Sequence, residues 1–169
     1  ISSDTINLSD VFKNFYKIII NLSSNLFEKY VMIKKVEIEK LSSYEKEIYK
    51  NLDRAVDSLL IIENIDLSSS FSNYIKEMIS ANFDIIVYPS LGYSSWDLLF
   101  AYNRIAPVQI CSSYNPNTTG IDTIDYYFSS ILFEDERISS DTSNYSETLI
   151  KFNGLNFYYD SLTLKRNPM

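Results

Sequence analysis

Residues 83–111 read FDIIVYPSLGYSSWDLLFAYNRIAPVQIC, and this stretch decides the fold. Apart from Asp84, Phe83 to Tyr88 is a run of apolar, β-branched and aromatic residues stopped by Pro89, the pattern of a strand. Ser94 and Asp97 then open a helix whose apolar stripe is Trp96, Leu99 and Phe100. Pro107 to Cys111 is again short and apolar. A strand, a helix and a second strand joined by short connections predict a βαβ unit with parallel strands.

The same alternation extends outward on both sides. Val11, Phe15, Ile18, Ile19 and Leu22 fall at helical spacing after Ser9 and Asp10, either of which can cap a helix. Tyr30 to Ile38 reads as a strand. Ser42 with Glu45 forms a capping-box pair ahead of a stripe of Tyr44, Ile48, Leu52, Ala55 and Val56. Leu59 to Ile62 is a continuous apolar run, the mark of a strand buried on both faces. Phe71, Tyr74, Ile75, Met78 and Ile79 make a further helical stripe, and Tyr126 to Phe133 a further strand. The expectation is an α/β fold with a Rossmann-like, mostly parallel sheet, these strands all central and helices on both faces. No internal repeat is present. The Ser/Asp-rich stretch from Ser139 to Ser146 reads as a loop, and residues 164–169 as an exit linker after a lobe spanning 1–163.

Composition removes many function classes. The chain has 169 residues, 46% of them hydrophobic and 22% charged, so one folded domain is expected. A net charge of −7 argues against nucleic acid as partner, because phosphate binding needs a basic face. There is no histidine, which excludes a Ser-His-Asp triad, a His general base and His-ligated metal within this chain. The single Cys111 excludes an internal disulfide or a Cys-cluster zinc site, and reads as a small core residue. Only Gly92, Gly120 and Gly154 are present, too few for a dinucleotide fingerprint or a P-loop. No apolar stretch is long enough to cross a membrane, and the start, Ile1-Ser2-Ser3-Asp4, lacks the pattern of a signal peptide. A cytoplasmic protein is expected.

In a parallel α/β sheet, ligands bind beyond the carboxyl ends of the strands. Three segments lie there: Ser2 to Ser9, Ser90 to Ser95, and Ser112 to Asp125. The last is the longest and holds Asn115, Pro116, Asn117, Thr118, Thr119 and Gly120. It reads either as a surface turn or as a functional loop. Asp122 and Asp125 are either an acid/base pair or loop-polarising caps. Glu134, Asp135 and Glu136 read as a solvated turn.

Four stretches, taken in order, resemble one family. Ser2-Ser3-Asp4 with Asn7 and Ser9 resembles an SSDF-x-NHS loop. Asp84 to Gly92 (DIIVYPSLG) resembles DILVYPDIG. Arg104 to Gln109 (RIAPVQ) followed by Tyr114 to Tyr126 (YNPNTTGIDTIDY) resembles R-x-APVQ…GHP-x-TTG-x-x-TIDY. Tyr145-Ser146-Glu147 before an apolar strand resembles that family's YSE. The chain is similar to the amino-terminal catalytic lobe of the O-linked N-acetylglucosamine transferase family, which includes bacterial relatives with helical repeats, SPINDLY-like proteins and adhesin-modifying glucosyltransferases. The resemblance implies one lobe of a GT-B glycosyltransferase. Such an enzyme is inverting and metal-independent, and moves GlcNAc or a hexose from a UDP-sugar donor to an acceptor protein or peptide, with no cofactor.

The resemblance further implies catalytic roles for Asn115, Thr118 and Thr119. It implies substrate binding by Asp4, Asn7, Ser9, Pro116, Gly120, Asp125 and Tyr126. Two departures stand out: the family's two His residues are Leu8 and Asn115 here. Leu8 forms no hydrogen bond through its side chain, and Asn115 donates and accepts but does not titrate. A lobe without its donor-binding partner is expected to be inactive alone. A non-catalytic interaction or scaffold domain descended from such an enzyme is the alternative.

Overall fold

The computed structural model describes residues 10–34, 42–62, 71–89, 91–92, 95–113, 115–134 and 144–157, with the side chains of 10–13 and 34 excepted. The chain divides into two compact units, the second spanning Ile61–Asn156.

The first unit begins with helix α1 (Asp10–Asn21), which buries Phe15 and Tyr16 and packs on α2 (Ser43–Ala55). The capping box read from the sequence is present. The Ser42 hydroxyl accepts the Glu45 amide at 3.2 Å, and the Glu45 carboxylate accepts the Ser42 amide at 3.0 Å. Ile48 and Leu52, one helical turn apart, are 1% and 0% exposed and form the buried stripe of α2. Strands β1 (Tyr30–Lys34) and β2 (Ser58–Ile62) pair in a two-stranded sheet. Their starts are tied reciprocally: the Lys29 amide donates to the Asp57 carboxylate at 2.7 Å, and the Asp57 amide to the Lys29 carbonyl at 2.8 Å. Lys29 is itself buried and donates its ammonium to the Leu22 carbonyl at 3.1 Å, just past the end of α1, where a cation suits the helix dipole.

The second unit holds α3 (Phe71–Ser80), β3 (Ile85–Tyr88), α4 (Ser95–Ala101), β4 (Val108–Ser112), β5 (Tyr126–Ser130) and β6 (Thr148–Phe152). Its four strands form one sheet in the order β3-β4-β5-β6, and every pairing is parallel. Ile85 stands opposite Val108, Ile110 opposite Tyr126, and Tyr126 opposite Thr148. Asn82 ends α3 in the left-handed conformation at φ +55°, a position that asparagine tolerates better than most residues. Phe71 of α3 packs its ring 6.3 Å from Trp96 and 5.4 Å from Phe100 of α4. The core between helices and sheet includes Ile75, Phe100, Ala101, Ile110, Cys111 and Tyr127. The α/β class with a parallel sheet, read from residues 83–111, is the architecture found.

Three expectations are corrected. The strands do not share one sheet among the described residues, because β1 and β2 pair with each other while β3–β6 form their own ladder. β2 is not buried on both faces: Leu60 and Ile61 are 36% and 48% exposed, as a strand with one neighbour allows. The strand expected over Tyr126–Phe133 stops at Ser130. There the Ser130 hydroxyl captures the Leu132 amide at 3.0 Å and its carbonyl takes the Phe133 amide, a local turn that competes with the ladder. The strand expected to reach Ile38 is described to Lys34; residues 35–38 and 164–169 lie outside the described residues.

Truncating Leu52, which has no exposed surface, is expected to remove about 2–5 kcal/mol of stability. Ser42→Ala is expected to remove about 0.5–2 kcal/mol through the lost cap. Urea denaturation of both variants checks the ordering, Leu52→Ala below Ser42→Ala below wild type.

Candidate functional site

β4 and β5 are parallel neighbours, so their connection must travel back from the carboxyl end of one to the amino start of the other. A five-residue strand is about 16 Å long. Such a return is usually made by a helix; here an irregular segment, residues 113–125, makes it. The expectation that this whole loop projects from the carboxyl ends is therefore half correct. It leaves there and arrives at the opposite edge, where the Asp125 amide donates to the Gln109 carbonyl at 2.8 Å.

Near its start, Asn115 is the hub. Its side-chain Nδ2 donates to the Leu91 carbonyl at 3.1 Å, and its Oδ1 accepts both the amide and the side chain of Asn117 at 3.3 Å. Its backbone carbonyl accepts the Tyr127 hydroxyl at 2.6 Å. Gly92 permits this approach. Its φ is +95°, and a Cβ there would sit 2.3 Å from Asn115 Nδ2. Pro116 and Asn117 form the exposed tip beside it.

Further along, the loop is fastened to residues just before β6. Glu147 is 5% exposed. Its carboxylate accepts the Thr118 hydroxyl at 2.7 Å, the Thr119 amide at 2.7 Å, and the Thr119 hydroxyl in a short bond. Ser146 completes the clasp. Its amide donates to Thr118 Oγ1 at 3.1 Å, and its hydroxyl accepts the Gly120 amide at 3.1 Å. Gly120 adopts φ +64° with open space where a Cβ would lie, so it supplies left-handed backbone rather than close approach. Burial pushes the Glu147 carboxyl pKa up, but the hydrogen bonds from Thr119 and Thr118 outweigh it and hold the pKa below the ordinary glutamate value.

At the far end, Asp125 is a structural pin. Its Oδ2 accepts the Arg104 guanidinium at 2.6 Å and the Gln109 amide at 2.8 Å. Burial raises its pKa and these bonds lower it, with a net lowering. Gln109, fully buried, bridges the Ile105 amide at 3.0 Å and the Thr123 carbonyl at 2.9 Å. Asp122 offers its backbone carbonyl to this cluster, toward Arg104 at 3.5 Å. Tyr126 opens β5, and its carbonyl accepts the buried Cys111 thiol, whose pKa burial raises. Glu134 is not a solvated turn residue: it accepts the Ser129 hydroxyl at 2.5 Å and the Tyr145 hydroxyl at 2.9 Å. Burial and that bond to Glu134 push the Tyr145 pKa up to about 12.

The structure thus gathers Asn115, Pro116, Thr118, Thr119, Gly120, Asp125 and Tyr126 along one loop. Asp4, Asn7 and Ser9, with Leu8, lie outside the described residues. Sequence reasoning named the threonines and missed the carboxylate that holds them, although Glu147 stood in the quoted YSE stretch. It also gave no site role to Gly92, Gln109 or Ser146. Among the described residues no group of three acidic, Cys or His side chains is placed to hold a metal, and no helix is long and apolar enough to cross a membrane.

No family model and no curated protein matches the chain. Among solved structures, a mutant form of the O-GlcNAc transferase of Thermobaculum terrenum is similar in fold, with a TM-score of 0.59 and 19% identity. The match covers 87% of this chain and 26% of that one, so the chain spans about a quarter of the matched protein. At that identity the likeness is one of fold.

Because the folded pKa of Glu147 lies below its unfolded value of about 4.3, its ionised form stabilises the fold. That contribution is fully present above the unfolded value and is lost as pH falls through the folded one. Glu147→Gln is expected to lose about 1–3 kcal/mol at pH 7 and to flatten the acid limb of the stability profile below about pH 4. Denaturation at a series of pH values checks both. Gly92→Ala, which puts a methyl group against Asn115 and strains the backbone, is expected to destabilise by more than the roughly 1 kcal/mol of an average substitution.

Proposed function

We propose that residues 1–163 form the amino-terminal, acceptor-side lobe of a GT-B glycosyltransferase. The whole protein moves GlcNAc or another hexose from a UDP-sugar to a protein side chain, with inversion, without a metal, in the cytoplasm. One observation carries this reading. Two stretches far from it in sequence that resemble the O-linked N-acetylglucosamine transferase family, Asp84–Gly92 and Tyr145–Glu147, are hydrogen-bonded to the loop 115–125, which belongs to a third and is tied back to that stretch's own Gln109. The fold likeness to an O-GlcNAc transferase supports it.

The chemistry asked of such a lobe is positioning. An inverting transfer needs the acceptor held in line with the sugar, and fixed dipoles near the departing diphosphate. The loop is suited to this because its shape is set from beneath: Glu147 fixes Thr118 and Thr119, Asp125 fixes the far end, and the Pro116–Asn117 tip stays exposed near the carboxyl end of β4. With both threonine hydroxyls donated to Glu147, the proposed catalytic part of Thr118 and Thr119 is to hold this geometry. Asn115, Pro116 and Gly120 shape the substrate-facing tip. Asp4, Asn7 and Ser9 contribute polar groups from the amino-terminal loop, and Asp125 and Tyr126 anchor its base.

A second reading, a scaffold domain that has lost catalysis, is favoured by the same hydroxyls being engaged and by Leu8 and Asn115 standing where the resembling family has histidine. Calorimetry of the full-length protein with UDP-GlcNAc and a radiolabelled transfer assay separate the two. The transferase reading predicts nucleotide-sugar binding and transfer. It also predicts that Thr118→Val lowers turnover by about a hundredfold by letting the loop shift. The scaffold reading predicts no binding and no effect of the substitution beyond stability.

A further inference from the structure

Asn153 is followed by Gly154, and no other asparagine of the chain precedes a glycine. The pair stands just past the end of β6, and Asn153 is exposed. An Asn–Gly bond is open to internal attack. The backbone nitrogen of the second residue closes a succinimide ring on the asparagine side chain, and only glycine leaves that approach clear of a Cβ. A fold blocks the reaction by engaging one of the two groups. Asn21, Asn103 and Asn115 are engaged in this way, their side chains donating to the Lys17, Leu99 and Leu91 carbonyls. Among the described residues nothing bonds to the Asn153 side chain or to the Gly154 amide, so nucleophile and electrophile are both free.

What the reaction would disturb is set by the next asparagine. Asn156 is buried and clamps the exit of β6 to the carboxyl ends of β4 and β5. Its Nδ2 donates to the Ser113 hydroxyl and to the Phe128 carbonyl, both at 2.9 Å, and its Oδ1 accepts the Ser113 hydroxyl at 3.2 Å. The same Phe128 carbonyl accepts the Ser113 amide at 2.8 Å. Ser113 is where the return loop to β5 departs, so Asn156 holds the root of that loop. On the other side of the bend, Phe152 is fixed by the Ile131 amide at 3.0 Å and by its ring, edge-on to Phe128 at 5.1 Å.

We propose that Asn153 is a self-modifying site: it deamidates through a succinimide with Gly154, and the isoaspartate formed unseats Asn156 and loosens the root of the loop 113–125. The Gly154 amide gives its proton to solvent base, its nitrogen bonds to Asn153 Cγ, and the side-chain nitrogen leaves as ammonia. Water then opens the ring at either carbonyl. One opening gives aspartate with the ordinary backbone. The other routes the main chain through Cβ, as isoaspartate, and lengthens it between the two fixed points, Phe152 and Asn156. Nothing is oxidised or reduced, and the site does not rest on the transferase reading.

Peptide mass spectrometry of the full-length protein, incubated at mildly alkaline pH, tests the site. Asn153 is expected to convert at least about tenfold faster than any other asparagine, because its successor alone lacks a Cβ. Gly154→Ala, whose methyl group enters open space, is expected to slow the conversion. Conversion of Asn153 no faster than elsewhere, or undiminished in Gly154→Ala, overturns the site. In the separated isoaspartate form the Ser113 amide is expected to exchange its hydrogen faster. The melting temperature is expected to fall by about 2–4 °C, the effect of a lost hydrogen bond in a chain of this size. Asn153→Asp, which keeps the ordinary backbone, is expected to show neither change. Unaltered Ser113 exchange in the isoaspartate form, or the same alteration in Asn153→Asp, overturns the coupling to Asn156.

Discussion

A buried carboxylate governs this molecule's candidate site. The return from β4 to β5 is made without a helix, so its backbone amides have no regular ladder to satisfy them, and buried amides left unpaired are costly. Glu147 and Ser146 take that role at Thr119 and Gly120, and at the far end the Asp125 carboxylate ties the return to β4 by accepting the Gln109 amide. Glu147 is ionised and nearly without solvent, and it tolerates burial because three donors converge on it. Take that carboxylate away and the Thr118-Thr119-Gly120 turn loses its reason for one shape.

From this follows the division of labour along the loop. Its middle and far end are fastened by hydrogen bonds, to the buried Glu147 and to the buried Gln109, while Pro116 and Asn117 remain at the surface. Asn115 joins the two regimes. Its amide is held by the Leu91 carbonyl across the space that Gly92 leaves open, and the Tyr127 hydroxyl fixes its backbone. An asparagine at that position serves as a fixed, non-titrating group, which suits positioning more than proton transfer.

How much of this was readable without coordinates depended on the range of the interaction. The Ser42–Glu45 capping box, the α4 stripe and the short apolar strands are local patterns, and they appear where the residues placed them. The sheet's division was not readable, because partner choice among apolar strands carries no local signal: Leu59 to Ile62 looks like Phe83 to Tyr88. The stop of β5 at Ser130 depended on one hydroxyl competing with the ladder. The clasp between Thr119 and Glu147 joins residues 28 positions apart, and no periodicity reports such a pair. The only trace of it in the sequence was a short Tyr-Ser-Glu stretch whose partner was not evident.

The most direct test of the account is the titration of Glu147 followed by carbon-13 NMR of its side-chain carboxyl group. If Thr118 and Thr119 hold an ionised, buried carboxylate, its midpoint lies below that of an unfolded glutamate. In the Thr118→Val, Thr119→Val double variant it moves upward, because burial then acts with fewer bonds to oppose it. A wild-type midpoint at or above the ordinary glutamate value, unchanged by the double substitution, would contradict the account.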